Sequence, residues 1–119
     1  MFALTSAQQY YLCAEPTDMR KSFDALSSLI SFVMERNPVS GEVFVFINKT
    51  KNKMKLLHWE YGGFVLYYKR LESGTFELPV YDKGQNSFII NWSQLIMMVE
   101  GILMKNIIKK KRYIHNGSC

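Results

Sequence analysis

With 119 residues, 48% of them hydrophobic and 14% aromatic, the chain is long and apolar enough for one domain around a single core, and a disordered chain is excluded. Its formal net charge is +5, but Lys/Arg and Asp/Glu balance over residues 1–104, so the excess lies in residues 105–119. No apolar run reaches the roughly 18 residues of a membrane span, and MFALTSAQQYYL lacks the charged and apolar regions of a signal peptide, so a cytoplasmic protein is expected.

After a lead-in over residues 1–9, Tyr10 to Cys13 reads as a short edge strand. Pro16 interrupts any ladder, and Thr17 or Asp18 can cap a helix by accepting a bond from a free backbone N–H. Met19, Phe23, Leu26, Leu29, Ile30, Val33 and Met34 then recur at spacings of three and four, the stripe of an amphipathic helix. The spacing predicts a helix from Met19 to Arg36, ended at Asn37-Pro38 because proline disfavours the α conformation in the residue before it. Arg20 and Asp24 would be i, i+4 neighbours in that helix.

Val43 to Leu71 has the grammar of a three-strand antiparallel meander. Val43–Ile47 is a β-branched and aromatic run, Asn48–Asn52 a polar turn, and Lys53–Glu60 a second run. Gly62-Gly63 supplies the positive φ that a two-residue hairpin needs, and Phe64–Lys69 is the third run. Thr75–Pro79 is expected as a fourth meander strand, Asp82–Asn86 as a loop, and Ser87–Ile90 as another strand. Asn91 with Gln94 resembles a capping box before a second helical stripe, from Trp92 through Leu95, Ile96, Val99 and Leu103 to Ile107. Leu26, Ile30, Val33, Phe44, Phe46, Leu56, Trp59, Phe64 and Leu66 are the expected core. The fold class expected is therefore α+β: a single domain, an antiparallel β-meander packed against a long N-terminal amphipathic helix, with a C-terminal helix. Residues 1–104 form the folded domain and 105–119 a basic C-terminal tail.

Cations cluster in three places. Lys49, Lys51, Lys53 and Lys55 alternate at the first hairpin, Lys69 and Arg70 follow Tyr67-Tyr68, and Lys105, Lys109, Lys110, Lys111 and Arg112 make up the tail. Lysines neutralise phosphates whatever the base sequence, and aromatics beside cations can stack bases. The alternative to nucleic-acid contact is an aggregation-resistant hairpin tip for the lysines, core and rim packing for the tyrosines, and a solubilising terminus for the tail. Catalysis finds little support. His58 alternates with Met54 and Leu56 as a packed residue, His115 lies in a polar tail, and Asp18, Asp24, Glu60 and Asp82 are scattered, whereas a metal nuclease needs converging acids. No phosphate-cradling glycine loop occurs, since no helix and lysine follow Gly62-Gly63. Cys13 and Cys119 lack metal or disulfide spacing and are expected as free thiols. No catalytic residue, metal, cofactor or small-molecule substrate is expected.

Several ungapped blocks carry a family resemblance. Pro16-Thr17-Asp18-Met19-Arg20-Lys21 before Phe23-Asp24-Ala25-Leu26, then Phe44-Val45-Phe46, Lys55 to Glu60, and Gly63 to Glu72 are similar to TnpB, the accessory protein from the second open reading frame of bacterial insertion sequences of the IS sixty-six family. Asp18, Met19, Arg20, Lys21, Lys55, Trp59, Gly63, Phe64, Tyr68, Lys69 and Arg70 fall on its motif positions. Leu78 departs from the family's usual Trp before proline, and Glu15 from its common Gly. The resemblance implies a non-catalytic helper of DNA transposition, while a larger transposase of the same element supplies the strand-transfer chemistry. It leaves two expectations open: direct contact with DNA at the element ends within a transposase complex, or an adaptor docked on the transposase without DNA contact.

Overall fold

A computed structural model describes residue 5 and residues 7–78 and 84–99. The tail cations Lys105, Lys109, Lys110, Lys111 and Arg112 lie outside the described residues, as do Asp82, His115 and Cys119. Among the described residues, five strands form one sheet: β1 (Tyr10–Cys13), β2 (Val43–Ile47), β3 (Lys53–Glu60), β4 (Gly63–Arg70) and β5 (Ser87–Ile90), with α1 (Phe23–Phe32) between β1 and β2. Residues 92–99 are also helical.

The sheet order is β4-β3-β2-β1-β5, and the sheet is mixed rather than a simple meander. The β2-β3-β4 portion is antiparallel, pairing Phe44 with Leu57 and Leu57 with Leu66. Tyr10–Cys13 is not the expected edge strand. It runs parallel to β2 and antiparallel to β5, inside the sheet. A parallel neighbour cannot be reached through a hairpin, so the chain from Ala14 to Glu42, with α1 in it, is the crossover that returns it to the sheet.

The expected long helix packed across a meander does not form. α1 has ten residues and begins at Phe23, after the apolar stripe has already started at Met19. The reason is local competition for backbone groups. Asp18 Oδ1 accepts the Arg20 N–H at 2.9 Å, and the Asp18 carbonyl accepts the Lys21 N–H at 3.1 Å, which closes a turn where a first helical turn was expected. Arg20 consequently pairs with Asp18 at 2.6 Å instead of with Asp24. At the other end Glu35 adopts φ 56, and the Arg36 N–H reaches back to the Ile30 carbonyl at 2.9 Å, ending the helix before Asn37-Pro38.

The sheet is covered on both faces. On one, Leu26, Ile30 and Met34 pack on Phe44, Phe46, Leu57 and Cys13. On the other, Phe76, Leu95 and Met98 cover Val43, Val45, Met54, Leu56, Tyr10 and Leu12. This double cover explains why β2 is buried at every position. Of the expected core, Leu26, Ile30, Phe44, Phe46 and Leu56 are fully buried, whereas Val33, Trp59, Phe64 and Leu66 are half-buried.

Two turns differ from expectation. The hairpin between β3 and β4 uses Tyr61 (φ 49) and Gly62 (φ 85), not Gly62-Gly63, because Glu60 and Gly63 are the last paired residues. Two positive φ values are what the favoured two-residue hairpin requires. Residues 75–78 add no fourth meander strand. After Gly74 (φ 76) the chain turns across the sheet, and the Phe76 N–H bonds the Lys51 carbonyl at 2.7 Å while the Phe76 ring is buried. The capping box at Asn91 is present in both directions: Gln94 N–H to Asn91 Oδ1 at 2.7 Å and Asn91 N–H to Gln94 Oε1 at 2.8 Å.

Candidate nucleic-acid interface

The first hairpin turn is built around one side chain. Asn48 Oδ1 accepts the backbone N–H groups of Asn52 and Lys53, each at 3.0 Å, and Asn48 Nδ2 donates to Asn52 Oδ1 at 2.8 Å. Lys51 takes φ 60 within this knot. Lys49 and Lys51 are therefore exposed on an organised loop whose backbone bonds are satisfied internally.

Lys55 behaves differently from its three neighbours. It lies on the α1 face of the sheet, opposite Phe46 on one side and Tyr68 on the other, and is only 5% exposed. Its Nζ donates to the carbonyls of Met19 (2.8 Å) and Lys21 (2.7 Å) and sits 4.6 Å from the centre of the Tyr68 ring. A buried ammonium needs such partners to offset its desolvation. Lys55 thus ties the turn at Asp18–Lys21 onto the sheet, and its charge does not reach solvent beside Lys49, Lys51 and Lys53.

The tie brings together stretches far apart in the chain. Pro16–Arg20, Asn48–Thr50, Lys53 and Tyr68 line an open groove of about 580 Å³. Tyr68 is half exposed and also lines a second hollow with Lys53, Arg70 and Glu72. The acids at the rim are already engaged, Asp18 by Arg20 and Glu72 by Arg70 at 2.9 Å. Hydrogen bonds from the Arg20 side chain and backbone hold the Asp18 carboxyl well below the usual carboxylate range. Lys49 and Lys53 have no carboxylate partner among the described residues, so the rim carries uncompensated positive charge.

Other candidates are placed elsewhere. Lys69 pairs with Met54, which puts it on the opposite face from Arg70. Trp59 and Phe64 meet edge to face at 4.9 Å at the far end of the hairpin, and Gly63 opens β4 there; these motif positions shape the sheet and do not reach the groove. His58 is buried, its Nε2 lying 3.0 Å from Gln8 Nε2 and 3.4 Å from Glu60 Oε2. Asp24 is exposed on α1. Among the described residues no three His, Cys, Asp or Glu side chains gather as metal ligands, and no helix is long and apolar enough to cross a membrane. Sequence reading overlooked that Asp18 to Arg20 would face the first hairpin. The available signal was Lys55 itself, a cation on the same strand face as Leu57 and Trp59.

Comparison with known proteins agrees with the motif blocks. The profile of the IS66 Orf2-like family matches residues 8–109. The chain belongs to that family. Membership associates it with IS66-type insertion sequences, in an accessory role in transposition. It is 33% identical over 86 residues to the uncharacterized protein y4hO of Sinorhizobium fredii strain NGR234, covering 72% of this chain and 73% of that protein. It is 30% identical over 73 residues to the uncharacterized protein y4jC of the same strain, covering 61% of this chain and 62% of the relative. No solved structure matches the chain.

Proposed function

We propose that this member of the IS66 Orf2-like family is a non-catalytic, cytoplasmic DNA-binding factor that works beside the element's larger transposase, with the groove at the first hairpin holding phosphates near the element ends. The observation that carries the reading is the convergence of Asp18–Arg20, Lys49, Lys53, Tyr68 and Arg70 on one open, cation-rich surface. Lys49, Lys53 and Arg70 supply sequence-independent phosphate contacts, and Arg20 adds a planar guanidinium held in orientation by Asp18. Lys51 extends the same electrostatic field, and the tail cations of residues 105–112 add to the chain's net positive charge, while Lys69, on the opposite face, contacts DNA only if the strand wraps the β4 edge. Lys55 acts as a support for the groove and not as a contact.

The test is a fluorescence-anisotropy titration of a labelled element-end fragment against salt concentration, paired with a pull-down of the transposase with and without nuclease. DNA binding that weakens with salt and is lost on Lys49→Ala/Lys53→Ala substitution supports the reading, because counterion release drives such contacts. Capture of the transposase that resists nuclease, together with no DNA binding at low salt, replaces it with the adaptor role.

A further inference from the structure

We infer that Tyr68 makes the groove a site for unpaired bases, so that single-stranded DNA binds it in preference to duplex of the same length. The inference rests on the DNA-binding reading above and adds the form of DNA recognised. Three observations carry it.

The first is the ring's position. Tyr68 is 50% exposed and, with Lys53, lines both the 580 Å³ groove and the adjoining hollow of about 340 Å³. A base entering either hollow meets the aromatic ring. Cations flank both sides: Lys49 and Arg20 border the groove, Arg70 borders the hollow, and Lys53 borders both, while the acids beside them, Asp18 and Glu72, are paired with Arg20 and Arg70. That is the composition of a single-strand platform, with a π-face for the base and cations for the backbone beside it.

The second is that the ring is held before anything binds. The Lys55 ammonium lies 4.6 Å from its centre and is itself fixed by the Met19 and Lys21 carbonyls. Ordering a surface side chain on binding costs free energy, and a ring already supported avoids part of that cost. A cation against one face leaves the other available for stacking.

The third is what the rim lacks. In a duplex the bases are stacked on each other and present only their edges in the grooves, so an aromatic side chain gains from stacking only by unstacking a step. Among the described residues, the groove is lined by parts of two strands, a tight hairpin turn and a loop, with no helix in its wall, and it is a recess rather than a projecting helix or ribbon that could enter a major groove.

The experiment uses the full chain and a fluorescein-labelled 20-nucleotide strand of mixed sequence, alone and annealed to its complement, at one fixed salt concentration. Wild type is expected to bind the single strand more tightly than the duplex. Tyr68→Ala should weaken single-strand binding at least about fivefold and duplex binding less than twofold, whereas Tyr68→Phe, which keeps the ring, should behave as wild type. A strand carrying 5-iodouracil should crosslink to Tyr68 on irradiation, mapped by mass spectrometry. Thermal melts of both variants ensure that the comparison is made on folded protein. Equal losses for both DNA forms, a wild-type preference for duplex, or a Tyr68→Phe loss as large as that of Tyr68→Ala would overturn the inference. If Lys49→Ala/Lys53→Ala weakens both forms while Tyr68→Ala changes neither, the DNA reading stands and this inference falls. If wild type binds neither form at low salt, both fall together.

Discussion

The Lys55 ammonium donates to the main-chain carbonyl of Lys21 at 2.7 Å, across 34 residues of sequence. With its second bond to Met19, this contact fixes the turn that precedes α1 against the middle of the sheet. Replacing Lys55 with Met, similar in length and without the charge, should cost about 1–3 kcal/mol in urea unfolding, since hydrogen bonds from charged groups are worth that order. The same substitution should speed hydrogen exchange at Arg20 and Lys21. Unchanged exchange there would mean that the turn is held by Asp18 alone.

Leu26 and Ile30 are fully buried between α1 and the sheet. Truncation of either to Ala should cost about 2–5 kcal/mol by urea denaturation, the usual range for a buried side chain that leaves a cavity. By contrast Phe32, on the same helix but 82% exposed, should tolerate Ala with little change.

The Arg36 guanidinium lies 3.8 Å from the centre of the Tyr11 ring and bonds both oxygens of Glu42, at 3.0 and 2.8 Å. Hydrogen bonds from Arg36 lower the Glu42 carboxyl below its ordinary value of 4.5. A carboxylate with a lowered pKa in the folded state contributes stability above its unfolded pKa and loses it as pH falls through the folded one. Glu42→Gln should therefore destabilise the protein by up to about 1 kcal/mol at pH 7, and by progressively less as the pH drops below about 4. Urea melts of both proteins at several pH values check this; a gap that widens in acid would contradict it.

Two groups of cations can be separated by salt dependence. Lys49→Ala/Lys53→Ala should flatten the slope of log affinity against log salt on duplex DNA by about 2, and removal of residues 105–119 by about 4–5, if each cation meets a phosphate. The truncated chain should melt as the full one does. Equal affinity and slope without those residues would reduce the tail to a terminus.

Purified protein with Mg²⁺, Mn²⁺ or Zn²⁺ is expected neither to cut nor to join element-end DNA. Asp18 is bound up with Arg20, and Glu60 stands beside His58 on the opposite sheet face from Lys55, so the two do not converge. Metal-dependent cleavage abolished by Asp18→Asn, Asp24→Asn or Glu60→Gln would overturn this.

Local signals in the sequence marked β2, β3, the capping box at Asn91 and the run Tyr10–Cys13 as strand, because alternation, β-branching and cap spacing act over a few residues. The motif blocks identified the family on the same footing. Where α1 begins was not legible, since the apolar stripe from Met19 satisfies helical spacing while Asp18 diverts the backbone donors it needs. Nor was the interior, parallel place of β1, which depends on pairing Tyr10 with Val43 across the crossover.

The sequence by itself determined the strand runs of β2, β3, β4 and β5 and the burial of Leu26, Ile30, Phe44, Phe46 and Leu56, but not the start of α1 or the non-strand course of residues 75–78. Only the tertiary structure decided that Lys55 is spent inside while Lys49 and Lys53 remain at the rim, and that Asp18–Arg20 and Tyr68 share a groove with them. The physical reason is range. Side-chain periodicity is fixed by local backbone geometry, whereas a buried ammonium finds its carbonyl acceptors only after distant segments have closed on the sheet and excluded water.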